Sequence, residues 1–222
     1  MAETPANQRP NQSHGQDAAS RARSVLLAVL SVEIAVLIVT GIALLFVYRP
    51  TAGQAWPGLV AENHDWNVRL ADGLRLVHRL ASWLAVPTAI VAGVVIAVCR
   101  GKNIRRWPGV TLGTGIAVTT LLATFTGFLL PWDQLALYAV KVGSNLQGYR
   151  PLFDSGVRFV LVRGNEVSPD TVLGWLFIHA LVLGPSLVGL VAFGWRRYRI
   201  DSSAGTKKVP NLTGAVRGSP ER

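Results

Sequence analysis

Cysteine, methionine and charged residues are scarce in this chain of 222 residues, which contains one cysteine, one methionine and 15% charged residues. A single cysteine excludes an internal disulfide framework and a zinc site built from cysteines. Charged residues make up about 25% of an ordinary soluble domain, so their low share argues against a free-standing cytosolic protein. Hydrophobic residues account for 50% of the chain, which excludes disorder as its main state.

Four long apolar stretches are present, and each has the length that a helix needs to cross a bilayer. They run over residues 25–48, 80–99, 110–130 and 172–194, and they are uncharged apart from Glu33. The sequence therefore predicts an all-α membrane protein whose domain, a four-transmembrane-helix bundle, covers residues 23–200. We expect a disordered polar tail over residues 1–22 and a basic disordered tail over residues 201–222.

The net charge of +10 is distributed unevenly along the chain. The two tails and the loop between the second and third stretches hold 14 of the 22 lysines and arginines, and the other two loops hold 8. The positive-inside rule therefore predicts that both termini are cytoplasmic, as in a multi-pass protein of the cytoplasmic (plasma) membrane of a prokaryote. No basic patch is interleaved with stacking aromatic residues, so we expect no nucleic-acid partner.

Two of the four histidines, His78 and His179, lie near the starts of the second and fourth apolar stretches. These stretches run in the same direction through the membrane, which predicts that both imidazoles lie at a similar depth. An imidazole inside a span is costly unless it has a partner. Two imidazoles in one bundle are suited to axial binding of a haem iron and are too few for a tetrahedral zinc site. Separate, structural hydrogen bonding of the two histidines is the alternative.

Three residues near the same end of the spans favour a haem. Arg75 lies one helical turn before His78, where its side chain could pair with a haem propionate or extend to the membrane surface. Gly41 and Gly127 lie near the ends of the first and third spans. They could admit the edge of a porphyrin or allow close helix packing.

The carboxyl group of Glu33 is expensive inside a membrane span unless it faces protein. It could serve proton uptake or an inner quinone pocket. Alternatively, it is a protonated acid that forms a hydrogen bond to a neighbouring helix, such as the one bearing Thr114 and Thr119.

The chain resembles a known family, the N-terminal half of cytochrome b, which carries the haems. Within this family it is most similar to the short split form found in cytochrome b-six f complexes. The resemblance covers residues 25–200 in order. The matching segments are TGIALLFVYRPT (Thr40–Thr51), RLVHRLAS (Arg75–Ser82), TGFLLPWDQLALYAVKV (Thr126–Val142) and VRGNEVSPDTVLGWLFIHALVLGP (Val162–Pro185).

The resemblance implies a bundle that holds two stacked haems between its second and fourth spans. His78 and His179 match the ligands of the outer haem, and Arg75 matches an arginine that contacts a propionate. Other matched positions are glycines that line the haems (Gly41, Gly113 and Gly127) and one wall of a quinol-oxidation site (Trp132, Asp133 and Gln134). Helix termination and anchoring at the membrane surface are the alternative role for this last group.

The chain departs from the family at the inner haem. Fourteen residues after His78 the chain has Ala92, and at the corresponding distance after His179 it has Phe193 and Gly194, so the second pair of ligands is missing. We therefore expect one haem b, with Phe193 filling part of the vacated space.

These observations predict a haem b-binding membrane electron-transfer subunit of a quinol:acceptor oxidoreductase of the respiratory bc type, and not a complete enzyme. The partners that the resemblance implies are quinol or quinone, a cytochrome b C-terminal-half subunit, an iron–sulfur or c-type cytochrome protein, and a second copy of the chain. The alternative function is a haem-free membrane anchor or scaffold derived from the same fold.

Overall fold

The computed structural model describes residues 10–50, 55, 66–98, 107–145 and 169–206, and every regular element within these ranges is a helix. In chain order the helices are α1 (Pro10–Leu45), α2 (Trp66–Val98), α3 (Trp107–Leu129), α4 (Gln134–Asn145), α5 (Pro169–Phe177) and α6 (Gly184–Thr206). A π-helical segment, Ile178–Leu183, joins α5 to α6, so these three elements form one continuous helix, called the fourth span below.

Four helical stretches are long and apolar enough to cross a membrane: Ala18–Leu45, Arg69–Val98, Pro108–Leu129 and Asp170–Ile200. The prediction of an all-α bundle with four spans is therefore confirmed. Large apolar side chains cover its outside, among them Val39 at 67% exposed and Leu181 at 64%. Water would leave such a surface unstable, whereas lipid solvates it. The orientation of the termini stays a prediction.

Prolines mark both ends of α3. Pro108 is the second residue of this helix, where its missing N–H would have had no intrahelical partner. Helix α3 ends at Leu129, two residues before Pro131. The predicted boundaries at residues 22 and 201 do not coincide with helix ends, because α1 begins at Pro10 and α6 continues to Thr206.

The buried apolar residues form two groups at different depths. The core cluster contains Leu27, Leu30, Ile34, Ala89, Ile96, Leu112, Ile116, Leu187 and Val191. The rim cluster contains Ala55, Leu129, Trp132, Ala136, Val172 and Trp175. We call the end of the bundle at the rim cluster the histidine end, because it carries His78 and His179, and the other the tail end.

Polar contacts tie the spans together at both ends. At the histidine end, the Tyr48 hydroxyl donates to the carbonyl of Leu130, and burial raises the pKa of Tyr48, which keeps it a neutral donor. At the tail end, Trp195 Nε1 donates to Ser31 Oγ over 2.9 Å and joins α6 to α1. The two histidines therefore lie in a bundle whose helices are fixed above and below them.

Candidate functional site

His78 and His179 form the centre of the candidate site. His78 lies on α2 and His179 on the π-helical segment, and their ring centroids are 6.3 Å apart with the ring planes at 60°. Two metal–nitrogen bonds of about 2.0 Å each, together with the radii of the two rings, span about 6 Å. The bundle therefore brings together the two histidines that the sequence singled out, at a separation that fits one metal ion between them.

Each histidine ring is held by a threonine from a neighbouring helix. His78 Nδ1 lies 2.8 Å from Thr40 Oγ1 on α1, and His179 Nδ1 lies 3.0 Å from Thr126 Oγ1 on α3. The side chains of Thr40 and Thr126 are themselves buried, at 6% and 3% exposed. Water therefore does not compete for these hydrogen bonds.

The threonine hydroxyls determine which ring nitrogen carries the proton. Thr40 Oγ1 donates to the carbonyl of Val36 over 2.7 Å, and Thr126 Oγ1 donates to that of Leu122 over 2.9 Å. Because each hydroxyl has one proton, its oxygen accepts a hydrogen bond from Nδ1–H of the histidine. The proton on Nδ1 leaves the lone pair of Nε2 available, and this is the tautomer that binds a metal.

A glycine follows each of these threonines and leaves room beside the ring. A Cβ atom on Gly41 would lie 3.3 Å from His78 Cε1, and one on Gly127 would lie 3.0 Å from His179 Cε1. A side chain at either position would push against the imidazole, which a packed interior resists. The same Thr–Gly pair therefore supports one histidine from α1 and the other from α3.

The π-helical segment widens the helix at His179. The N–H of Gly184 donates to the carbonyl of His179, five residues earlier instead of four. Pro185 follows, and it has no N–H to donate to the carbonyl of Leu181 and would clash with it in a regular α-helix. The wider turn removes that clash, as π-bulges often do at functional positions.

Arg75 lies at the histidine end, one helical turn before His78. Its guanidinium forms an ion pair with Asp72, and its Nε donates to the carbonyl of Ala71 over 3.4 Å. The side chain is 26% exposed, so solvent weakens this ion pair. The arginine is thus held on α2 near the level of the ring, and its contact with a propionate stays a prediction.

Gly113, which the resemblance matched to a glycine that lines a haem, contacts the backbone of α2. A methyl group on Gly113 would clash with the carbonyl oxygen of Gly93, and a Cβ on Gly93 would lie 2.7 Å from the carbonyl oxygen of Gly113. Helices α2 and α3 therefore touch backbone to backbone at this level. The role of Gly113 toward a haem stays a prediction.

The prediction that Phe193 fills the vacated space is wrong. Its side chain is 43% exposed, and the guanidinium of Arg197 lies 5.1 Å from its ring centre. The neighbouring Gly194 faces inward instead, where a Cβ would lie 3.3 Å from Leu27 Cδ2. The side chains of the core cluster occupy this level, because the fourth span presents its glycine and not its phenylalanine to α1.

The residues matched to a quinol-oxidation wall lie in the turn between α3 and α4. Trp132 is 5% exposed, belongs to the rim cluster and has a left-handed backbone with φ of 51°. Asp133 caps α4, since its Oδ1 accepts the N–H of Ala136 over 2.8 Å. Gln134 is exposed. The first two residues thus stabilise the turn, and a quinone role for the group stays a prediction.

Glu33 forms its hydrogen bond to α2. Its Oε1 lies 3.0 Å from Thr88 Oγ1, so the partner is Thr88 and not the suggested Thr114 or Thr119. Its Oε2 is buried and has no hydrogen-bond partner among the described residues. The carboxyl group is therefore only half satisfied, a costly arrangement inside a bundle.

The sequence reasoning did not single out Thr40, Thr126 or Thr88. The signal for the first two was present, because a Thr–Gly pair occurs near the ends of both the first and third spans. A hydroxyl in an apolar span usually bonds to its own helix, however, and the sequence does not reveal which ones face another side chain.

The donor set fits haem iron. Two imidazoles with available Nε2 lone pairs are the protein ligands that would hold a haem iron, which carries out one-electron chemistry. Within the ranges that the structure describes, no group of three or more histidine, cysteine or acidic residues could hold a metal ion by itself. The glycines beside both rings allow the imidazoles to pack against the backbones of α1 and α3.

The chain is similar to known proteins over most of its length. Residues 23–194 match the family described as Cytochrome b/b6/petB. Cytochrome b6 of Acaryochloris marina is 29% identical over 150 residues, which cover 65% of this chain and 66% of the relative. Cytochrome b6 of Prochlorococcus marinus (strain MIT 9215) is 31% identical over 150 residues, which cover 67% of each chain.

A solved structure, described as Hyperthermophilic respiratory Complex III, has a similar fold. Its TM-score is 0.65 at 18% sequence identity, over 89% of this chain and 52% of the solved one. The chain therefore spans about two thirds of the length of its curated relatives and about half of the solved chain.

Proposed function

Because the chain belongs to the cytochrome b/b6 family, we propose that it is a membrane electron-transfer subunit that holds one haem b between His78 and His179. The observation that carries this proposal is the pair of imidazole rings at 6.3 Å, each with its Nδ1 at a threonine hydroxyl. When bound, haem iron accepts and releases one electron at a time. The subunit would work in a quinol:acceptor oxidoreductase of the bc type in a prokaryotic plasma membrane.

The residues around the rings would tune that electron transfer. Nε2 of each histidine would bind the iron, while Thr40 and Thr126 would hold the rings in one tautomer and one orientation. The apolar spans exclude water, so nearby charges act on the site more strongly than they would in solution. Arg75, on the same face of α2 as His78, would offset the negative charge of a propionate.

The packing at the tail end supports a single haem. At the level where the resemblance implies a second pair of histidines, Ala92 is 1% exposed and Gly194 is buried. Gly93 and Gly113 bring α2 and α3 together there, and the core cluster occupies the interior. These residues offer a second macrocycle no histidine ligand, which supports a count of one.

A larger complex follows from the resemblance. It implies that a C-terminal-half subunit forms the second wall of the quinol-oxidation site. It also implies that an iron–sulfur or c-type cytochrome protein accepts electrons from that site. Trp132, Asp133 and Gln134 would form the wall on this chain, and a second copy of the chain would complete a dimer. These partners belong to the proposal.

The test is the haem content of the purified chain. A pyridine haemochrome assay should give one haem b per chain, and the electron paramagnetic resonance spectrum should show low-spin ferric iron with nitrogen on both axial positions. Two haems per chain would contradict the account of the tail end. No haem in a folded, membrane-extracted chain would favour the haem-free anchor instead.

A further inference from the structure

Glu33 is the carboxyl group that the proposed haem site does not use. We propose that Glu33 binds one proton when an electron arrives at the haem held by His78 and His179, and releases it when the electron leaves. This inference rests on the proposed function. It makes the tail side of the same bundle a redox-linked proton site.

The hydrogen bonds of Thr88 suit both protonation states of Glu33. Thr88 Oγ1 lies 3.0 Å from Glu33 Oε1 and 2.9 Å from the carbonyl oxygen of Leu84, and a hydroxyl has one proton for the two. With Glu33 ionised, Thr88 donates to the carboxylate. With Glu33 protonated, Glu33 donates to Thr88, which donates to Leu84. Only a hydroxyl rotation separates the two states, so neither requires a change of packing.

The second carboxyl oxygen gives the site a reason to take up a proton. Glu33 Oε2 is buried, and the described part of the chain offers it no donor. A carboxylate with one unsatisfied oxygen is poorly stabilised away from water, so a modest change in local charge alters its proton affinity.

Glu33 is close enough to the haem site to respond to its charge. It lies seven residues before Thr40, which places both on one face of α1 and about 10 Å apart along the axis. Two unit charges about 12 Å apart, at an effective dielectric constant of about 20, change each other's affinity for a proton or an electron by about tenfold. An added electron therefore favours the protonated form of Glu33.

Few other groups compete for this role. The titratable and charged side chains nearest in depth are Arg23 on α1, Tyr48 just after α1, His78 and Arg79 on α2, and His179 and Arg196 on the fourth span. Helix α3 has none from Pro108 to Leu129. Between the level of the histidines and that of Arg23, Glu33 is the only titratable side chain on the described spans.

A groove between α1 and α2 lies on the tail-end side of this pair. It is lined by Arg21, Leu26 and Val95, among others. Leu26 lies seven residues before Glu33 and Val95 seven residues after Thr88, so both linings continue into the pair on the same helix faces.

The step is balanced in charge. A quinol that is oxidised to its quinone releases two protons to water and two electrons, which reach the iron one at a time. With each electron, the aqueous phase at the tail end supplies one proton to the Glu33 carboxylate, which becomes a carboxylic acid. Oxidation by the acceptor protein removes the electron, and the same proton returns to water. No covalent bond other than O–H changes.

The experiment is a spectroelectrochemical titration of the haem band in the purified full chain at a series of pH values. The wild-type midpoint potential should fall as pH rises, by a total of about 59 mV for a tenfold coupling in a one-electron couple. In Glu33→Gln the potential should not depend on pH. In Thr88→Val the decrease in midpoint potential should occur over a different pH range. In Thr88→Ser and in the matched control Thr120→Val, the midpoint potential should depend on pH as it does in the wild type.

Infrared difference spectra of the wild type, reduced minus oxidised, should contain the band of a protonated carboxyl, which Glu33→Gln should lack. A pH-independent wild-type potential, a wild-type slope that persists in Glu33→Gln, or a wild-type infrared difference without that band would each overturn the inference. A wild-type chain with no haem band would contradict both the proposed function and this inference. A normal haem band together with one of the three results just named would contradict this inference alone.

Discussion

The histidine end and the tail end of the bundle are made from the same four helices, yet the helices meet differently at each. At the histidine end, two Thr–Gly pairs contact two imidazoles, so each ring is held by a hydroxyl and packs against a glycine. At the tail end, glycine backbones touch and the core cluster fills the interior. At one end, glycine allows a histidine ring to pack against a helix backbone. At the other end, it allows two helix backbones to touch.

The largest expected effect is the loss of a histidine. His78→Ala and His179→Ala would each remove one of the two proposed haem ligands, and we expect both to abolish the haem b absorbance of the purified chain. His14→Ala is the matched control and should retain it. Wild-type haem content in either of the first two variants would show that the histidine end is not the haem site.

A smaller effect is expected from the threonines that orient the rings. Thr40→Val and Thr126→Val keep the shape of the side chain but remove the acceptor of Nδ1–H, which should weaken haem binding about 10- to 100-fold. Haem loss to an excess of an apo-protein acceptor measures this. Thr120→Val is the control, because Thr120 Oγ1 bonds to the carbonyl of Ile116 on its own helix. If all three variants lost haem at the same rate, the threonines would have no orienting role.

The smallest effect should be confined to the tail end. Gly113→Ala places a methyl group against the Gly93 carbonyl, and overpacking of this kind costs about 1–3 kcal/mol. For a chain of this size that lowers the midpoint of thermal unfolding by roughly 3–10 °C, with haem content per folded chain unchanged. Gly189→Ala is the matched control, since a Cβ there meets nothing within 4 Å. Haem loss without a change in the unfolding midpoint would instead mean that Gly113 lines a haem.

The sequence predicted the gross architecture because hydrophobicity and length suffice for it. Four apolar stretches of about 20 residues can be satisfied only as spanning helices, so the number of spans followed directly. The pairing of His78 with His179 also followed, because alternate spans run in the same direction. The partner of Glu33 was not predictable, since it depends on how α1 rotates against α2.

The exposure of Phe193 shows where helix periodicity is too coarse. The fourth span contains a π-helical segment after His179, and its wider turn rotates every later residue relative to a regular helix. Counting fourteen residues from His179 at α-helical spacing therefore placed the phenylalanine inside, whereas Gly194 faces Leu27. One extra residue in a turn leaves the composition of the span unchanged, but it changes which of the later side chains face the interior of the bundle.

By itself, the sequence determined that the helices lie in lipid, how many spans there are and which two histidines are candidate ligands. Each of these depends on the chemistry of single side chains and their order along the chain. Only the tertiary structure decided the tautomer of those imidazoles, the contact of Gly93 with Gly113 and the hydrogen bond of Glu33 to Thr88. Each of these depends on the rotation of one helix against another. That rotation is set by the packing of all the spans together, which no local pattern encodes.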